Sequence, residues 1–366
     1  MNAEKITKSK KVVWLCSGLD SRRRRGYEQS TLISHKRMLA MGVSSWLLKG
    51  SSEFDDANSE TIGFVHRWKL WRYLGDAVGE AFMFEYLFFS IGCLQSRKFR
   101  NADVLCTQEP FVARMLLRLR QVGGLKAKTR IVFVCGVTMN AKFVARFGDL
   151  IFVVNPEVFS EAKRWFPSKP IFWTPNPIDF SKRYVSDEQK LIIHNNPFPP
   201  VRKSWIVVVG AINKSIKRTH LIVDAWKKYG QNYGLCLVGQ IQDDEILRDI
   251  PKDAAFIHAY VAPEEVSRYI YYADVVCLAS KYEGFPNIVL ECVVNGKIPF
   301  LQKNNANTKI LLSEKYLVDF EDELWIKEIT TSSNNEIAHA LIDRFEIDFA
   351  SFVETILIGD VDSGDD

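Results

Sequence analysis

The sequence predicts an α/β protein of two domains, each built around a parallel sheet. Three observations carry the prediction. The chain has 366 residues, more than one hydrophobic core usually serves and enough for two domains of roughly 150–200 residues. Short apolar runs alternate with helix-spaced stretches along most of the chain, as repeated strand–helix units require. The alternation breaks once, at a proline-rich polar interval ending in Asn195, Asn196, Pro197, Phe198, Pro199 and Pro200, and then restarts. That interval reads as a linker and hinge.

Taken in order, residues 12–16 (VVWLC) are the first strand. A polar loop from Ser17 to Gly26 leads into a helix over 28–41, with Leu32, Ile33, Met38 and Leu39 on its apolar face and Gly42 at its end. Strand, glycine-bearing loop and helix form the opening unit of a doubly wound sheet. Buried strands follow at 104–106, 131–134, 151–154 and 171–174. Beyond the linker, strands at 205–209, 235–238, 255–257 and 275–278 alternate with helices over 221–229, 245–249 and 264–272. The domains are therefore drawn as 1–180 and 181–345, and the acidic tail at 359–366 reads as disordered.

Composition narrows the class. An apolar fraction of 47% and a charged fraction of 25% exclude a disordered chain. The seven cysteines show no C-x-x-C spacing, and Cys236 and Cys277 sit inside apolar runs. They read as small buried hydrophobes in a reducing, cytoplasmic compartment. The first eleven residues are polar and Lys-rich, without the apolar run of a signal peptide, and 81–94 is too short to span a bilayer. The expectation is a cytoplasmic protein, free or peripheral on the inner face of a membrane. The cluster Arg67, Trp68, Lys69, Leu70, Trp71, Arg72, Tyr73 and Leu74 suits either a membrane interface or a core helix with a charged outer face.

Charge divides unevenly. Residues 1–180 hold 28 Lys and Arg against 16 Asp and Glu, a net +12, while 181–366 hold 20 against 28, a net −8. The basic half favours an anionic partner such as a phosphorylated lipid, a membrane surface or an acidic glycan. No nucleic-acid recognition motif accompanies it, so nucleic acid is not expected. The six histidines lack metal-ligand spacing, and Asp55-Asp56 lacks the context of a metal-holding pair, so neither metal nor cofactor is expected.

The most informative stretch runs Ser280-Lys281-Tyr282-Glu283-Gly284-Phe285-Pro286-Asn287-Ile288, then Glu291, Gly296 and Pro299. A strand ends near Ser280 and a helix begins near Asn287, which puts Glu283 at the carboxyl rim of a sheet, where such folds bind ligands. The helix start suits a phosphate, and carboxylates there suit the hydroxyls of a sugar. These residues resemble the signature E-G-F-P-x-x-x-x-E-A-x-x-x-G-x-P of the family 4 (group 1) retaining glycosyltransferases, with Cys292 in place of Ala. The resemblance implies a GT-B architecture, two Rossmann-like domains whose parallel sheets face a central cleft. It assigns Glu283 to the donor sugar and Glu291 to the ribose, with Gly284, Phe285, Pro286, Asn287 and Ile288 around them.

Further segments match in order. Val207-Val208-Val209-Gly210, followed by Lys217, Arg218, Leu221, Ile222, Ala225 and Trp226, is similar to the family's V-G-R-x(n)-K-x-x-x-L-I-x-A-F. The likeness gives Lys217 the donor diphosphate, where a cation meets the charge that grows on the leaving group. The family's arginine is Ala211 here, with Arg218 or Lys214 available to replace its charge. His258 and Tyr260 fall where the family rests the nucleotide base. Pro175-Asn176-Pro177-Ile178-Asp179 resembles its P-N-G-V-D junction, and a helix at 346–358 crossing back to the first domain is implied by resemblance alone.

In the first half, Gly18 and Gly26 bracket Arg22, Arg23, Arg24 and Arg25. This loop can hold a diphosphate or an anionic acceptor, or simply be solvated. Cys135-Gly136 stands where many family members have His-Gly beside the reacting carbon. The expected function is retaining, metal-independent transfer of a sugar from a nucleotide-diphosphate-sugar to a hydroxyl of a glycan or lipid-linked acceptor. The alternative is a non-catalytic partner that binds nucleotide-sugar or glycan, motivated by Ala211 and Cys135.

Overall fold

The computed structural model describes residues 10–18, 26–50, 56–63, 78–136, 139–180, 196–199, 204–248, 250–252, 254–262, 265–303, 312–329 and 333–358. The chain divides into two compact units. Unit 1 comprises Met1–Pro177 with Ile347–Asp366, and unit 2 comprises Ile178–Glu346.

Unit 1 carries a parallel sheet of seven strands: β1 (Lys11–Cys16), β2 (Ser44–Lys49), β3 (Ser59–Thr61), β4 (Val104–Thr107), β5 (Arg130–Cys135), β6 (Leu150–Val153) and β7 (Ile171–Trp173). Their order is β3-β2-β1-β4-β5-β6-β7, so the chain starts in the middle, winds one way, and returns past β1 to wind the other. The connecting helices include α1 (Gly26–Ala40), α2 (Val78–Cys93), α3 (Pro110–Gln121) and α4 (Pro156–Trp165). Both faces of the sheet are covered, which is why its strands read as unbroken apolar runs. Alternation along β1 sends Val12, Trp14 and Cys16 into one core, with Leu32 and Met38 of α1. Val13 and Leu15 go to the opposite core, with Phe89 of α2.

Unit 2 repeats the plan with β8 (Ser204–Val209), β9 (Tyr233–Val238), β10 (Phe256–Ala259), β11 (Val275–Leu278), β12 (Phe300–Gln302) and β13 (Leu317–Val318). The order is β10-β9-β8-β11-β12-β13, again all parallel. Helices α5 (Thr219–Tyr229), α6 (Val266–Tyr272) and α7 (Asn287–Val293) lie between strands.

A last helix, α8 (Asn335–Ile358), has 24 residues, eleven more at its start than the 346–358 expected. Asn334 explains the earlier start, because its side-chain oxygen accepts the N–H of Ile337 at 3.1 Å and caps the helix. Its first half belongs to unit 2 and its second half to unit 1. There Phe349, Phe352, Val353, Ile356 and Leu357 join the core that holds Trp14, and Arg130 donates to the Ile356 carbonyl at 3.0 Å.

Several sequence expectations need adjustment. The helix over 245–249 is only a 3-10 turn, Asp244–Leu247, because Arg248 is already extended at φ −63°, ψ 145°; residue 249 lies outside the described residues. Strands β2, β3, β12 and β13 were not expected. The cluster at 67–74, Asp55 and the tail at 359–366 lie outside the described residues. All seven cysteines are buried. No helix among the described residues is long and apolar enough to cross a membrane.

Candidate functional site

In unit 2 the winding direction reverses between β8 and β11. In open α/β sheets ligands usually bind at this point, in the crevice outside the carboxyl ends of the strands. Two glycines shape its floor. Gly210 ends β8 at φ +129° and Gly239 ends β9 at φ +148°, a region side-chain-bearing residues rarely enter. A Cβ on Gly239 would lie 1.9 Å from the Gly210 carbonyl oxygen, so the two backbones meet at a distance only glycine permits.

The loop from Gly210 to Arg218 is organised by Asn213. Its side-chain oxygen accepts the N–H groups of Ile216 at 3.1 Å and Lys217 at 2.8 Å, and its own carbonyl accepts the N–H of Thr219 at 2.9 Å. Its amide donates to Gln242 at 2.8 Å. Two bonds then fasten this loop to the one after β11: Lys281 N–H to the Ile216 carbonyl, 2.9 Å, and Arg218 Nε to the Ala279 carbonyl, 2.9 Å. Arg218 is left-handed at φ 50°, a conformation costing about 1–2 kcal/mol that these contacts offset.

The result is an ion pair between Lys217 Nζ and Glu283 Oε1. Their side chains are 28% and 14% exposed, so both remain reachable from solvent. The other cations of the loop are engaged elsewhere: Lys214 with Glu245 at 2.7 Å and Arg218 with Glu321 at 2.6 Å. Past Glu283, Phe285 is buried against Phe345, ring centroids 5.8 Å apart. Pro286 caps α7, whose first residues are Asn287 and the buried Ile288, with the half-buried Glu291 one turn on. Gly284 is half-buried beside them. His258 is exposed with Nε2 2.9 Å from the Gly239 carbonyl, beside the crevice floor, and Tyr260 is 74% exposed.

In unit 1 the equivalent reversal lies between β1 and β4. Gly18 follows β1 and Gly26 opens α1, while residues 22–25 between them lie outside the described residues. Cys135 is the last residue of β5 and is fully buried in the core with Phe133 and Ala141. Gly136 follows it, and a Cβ there would come within 2.7 Å of Gln108 Oε1.

Sequence reasoning missed Asn213 and Gln242, which shape the loop without belonging to any motif. It also missed Ser17, Gln108 and Glu109. The signal for Glu109 was available: like Glu283, it follows the fourth strand of its domain. Among the described residues no three His, Cys, Asp or Glu side chains are grouped as a metal would need.

Residues 189–344 match the family described as group 1 glycosyl transferases. No curated protein matches the chain in sequence. Solved structures match along almost its whole length. One titled trehalose-6-phosphate from E. coli bound with UDP-2-fluoro glucose has a TM-score of 0.64 at 11% identity, covering 95% of this chain and 98% of its own. The catalytic domain of starch synthase IV from Arabidopsis thaliana, bound to ADP and acarbose, has a TM-score of 0.64 at 13% identity, covering 94% and 99%. WaaG, a glycosyltransferase involved in lipopolysaccharide biosynthesis, has a TM-score of 0.62 at 11% identity, covering 95% and 100%. The chain therefore has the GT-B fold of these glycosyltransferase structures, and its second unit is similar to the group 1 glycosyl transferases.

Proposed function

We propose that the protein is a glycosyltransferase that binds a nucleotide-diphosphate-sugar through unit 2 and an acceptor through unit 1. The observation that carries this reading is the meeting of Lys217 and Glu283 at the switch point of unit 2. An ammonium and a carboxylate held side by side at a sheet's rim match the two ends of such a donor: phosphates and sugar hydroxyls. The donor exchanges their mutual contact for two of its own. Lys217 then faces the diphosphate and stabilises the charge that develops as the sugar departs. Glu283 accepts hydrogen bonds from sugar hydroxyls, and Glu291, one turn into α7, accepts from the ribose.

The reaction in this reading is retaining and needs no metal, with the departing diphosphate taking the acceptor's proton. The acceptor is a glycan or lipid-linked hydroxyl, and the basic first half suits one that carries negative charge or lies at a membrane surface. A thermal-shift screen with UDP-, GDP-, ADP- and CMP-sugars tests the donor site, because a ligand specific to the folded state raises the melting temperature. A shift with one nucleotide class that is lost in Glu291→Ala supports the reading. No shift with any donor overturns it.

One observation favours a second reading, a non-catalytic nucleotide-sugar- or glycan-binding partner. Ala211 stands where the family's arginine would, and the two cations nearest in the loop, Lys214 and Arg218, each already have an acidic partner. Slow donor hydrolysis without acceptor separates the two, since a binding partner shows none.

A further inference from the structure

One side of unit 1 presents a surface that the proposed reaction does not use. Three helices cover the sheet there: α2, the short helix Arg97–Arg100, and α3. Phe89 and Cys93 of the first, Phe99 of the second, and Val112 and Leu116 of the third share one core with Leu105 of β4. Their inward faces therefore meet the same face of the sheet, and their outward faces point away from it together.

The outward face of α2 is apolar where a surface helix is ordinarily charged. Phe84, Phe88 and Ile91 fall at i, i+4 and i+7, one stripe along the helix. They are 37%, 38% and 47% exposed, while Phe89 and Cys93 on the inward face are fully buried. Phe84 and Phe88 stack with ring centroids 6.3 Å apart. Phe111, in the first turn of α3, is also exposed and stacks on Tyr86 of α2, centroids 5.7 Å apart, so the two helices adjoin. Single exposed apolar side chains are commonplace, whereas a stripe of three in helical register points to something that covers it.

Charge on this side is of one sign. Residues 84–128 hold eight Lys and Arg against three acids, and none of the three acids lies exposed. Glu85 and Glu109 are buried, and Glu109 accepts the Ser17 N–H at 2.9 Å and the Ser17 hydroxyl at 2.6 Å. Asp103 is half-buried and accepts the Lys11 N–H at 2.9 Å. Glu60 of β3 is half-buried and accepts the hydroxyl of Ser96, the cap of the short helix, at 2.7 Å. The cations stand outside. Arg97 and Arg100 follow the apolar stripe of α2, and Arg114 and Arg118 lie three and seven residues beyond Phe111 on α3. All four are exposed and form no ion pair among the described residues.

We propose that this side of unit 1 docks on an anionic lipid bilayer: Phe84, Phe88, Ile91 and Phe111 enter the headgroup boundary, and the four arginines meet lipid phosphates. The apolar side chains are pure hydrocarbon and ask for no hydrogen-bond partner, and the unpaired polar ones are all cations. That is the composition of a helix lying in a membrane interface, apolar face towards the acyl chains and basic residues among the headgroups. A protein partner would need acids fixed opposite each arginine. Lipid phosphates diffuse to wherever a cation stands, which suits arginines that no neighbouring acid holds in place. The 16 residues of α2 lie on such a surface without crossing it. The inference goes beyond the transferase reading, because binding to a bilayer requires neither donor nor turnover.

Co-sedimentation of the full chain with vesicles tests this. Vesicles of phosphatidylcholine with phosphatidylglycerol should carry the protein down and pure phosphatidylcholine far less, and salt should weaken the anionic binding by screening. Arg114→Gln with Arg118→Gln should lower the partition coefficient at least about tenfold, since each cation near an anionic surface contributes about fivefold. Phe84→Ser with Phe88→Ser should lose a comparable factor. Both double variants replace exposed side chains, so their melting temperatures should stay close to that of the wild type. Ile91→Ser, at the most exposed position of the stripe, gives a smaller loss and serves if the phenylalanine pair does not fold. No binding to anionic vesicles, equal binding to pure phosphatidylcholine, or binding that neither double variant weakens overturns the proposal. Self-association that the phenylalanine variant abolishes, without vesicle binding, overturns it in favour of a contact between proteins. The donor thermal shift is a separate readout. Vesicle binding without any donor shift leaves the docking surface standing and removes the transferase reading, and a donor shift without vesicle binding does the reverse.

Discussion

Lys217 and Glu283 are 66 positions apart in sequence and form an ion pair because two loops from neighbouring strands are fastened together on either side of them. The backbone bond from Lys281 to Ile216 and the bond from the Arg218 side chain to the Ala279 carbonyl bracket the pair, so its geometry is inherited from the two loops and not from Lys217 and Glu283 alone. The pair is partly solvated, and its contribution to stability is expected to be small. Its consequence is for binding. Lys217→Ala and Glu283→Ala should each lower donor turnover at least about tenfold, the scale of losing one oriented charge in a transition state. Melting temperatures should change by only a degree or two, as for exposed ion pairs. Donor hydrolysis rates alongside thermal melts check both halves, and full activity in both variants would remove these residues from the site.

Gly239→Ala tests the crevice floor. The added Cβ meets the Gly210 carbonyl oxygen at 1.9 Å, on a backbone at φ +148°, so the two loops must separate. A loss of at least about 2–3 kcal/mol is expected from the strained backbone and the clash together. Gly42→Ala is the control, with a similarly unfavourable φ of +77° but nothing within 4 Å, and should cost only about 1 kcal/mol. Urea denaturation of the two variants reads the difference.

Two buried groups give stability a pH dependence of opposite sign. His35 is fully buried, with Nδ1 2.8 Å from the Ser45 hydroxyl and Asp56 3.6 Å from Nε2. Burial lowers its affinity for a proton, despite the opposing pull of Asp56. The unfolded chain takes up that proton below about pH 6.5 while the folded chain resists it, so this term falls as the pH drops through that value. Glu109 acts the other way. Its folded value of about 7 lies above the ordinary 4.5, so its contribution is present below pH 4.5 and lost as the pH rises towards 7. Glu109→Gln should therefore show a steeper gain in stability with pH than wild type across that window. His35→Asn should show a shallower one near pH 6, and denaturation midpoints measured from pH 4.5 to 7.5 check both slopes.

Phe352 ties α8 into unit 1. It meets Phe152 edge-on with centroids 4.5 Å apart, and lies 5.5 Å from Phe349 and 6.4 Å from Trp14. Phe352→Ala should cost about 3–5 kcal/mol, the usual loss for a buried aromatic, measured by chemical denaturation. A loss below about 1 kcal/mol would mean the helix is not part of that core.

The sequence made the strand–helix rhythm legible because both faces of each sheet are covered, so strands such as 205–209 and 275–278 stand out as apolar runs. It hid β3 and β13, at the sheet edges, which are short and carry Ser59, Glu60 and Thr61 or only Leu317 and Val318. Lys217 and Glu283 were legible through their flanking motifs, although nothing in either segment announced that they would touch. Asn213 was not legible, since one asparagine in a polar loop has no periodicity to betray it. Glu109 was passed over for a related reason. A single acid after a strand reads as a helix-start residue, and only the fold brings Ser17 against it from 92 positions away.

Helix α8 also bears on the order in which the protein can be made. Ala338, Leu341 and Phe345 are buried in its first half, and Phe349, Phe352, Val353, Ile356 and Leu357 complete the core of unit 1 in its second. The core on that face of the unit 1 sheet, covered early by Leu32 and Met38 of α1, therefore stays incomplete until the whole of unit 2 has been synthesised. At ordinary elongation speeds that delay is on the order of ten to thirty seconds. Throughout it, Trp14 and Phe152 lack Phe352, so loss of α8 at the far end of the chain is expected to destabilise the unit that is made first.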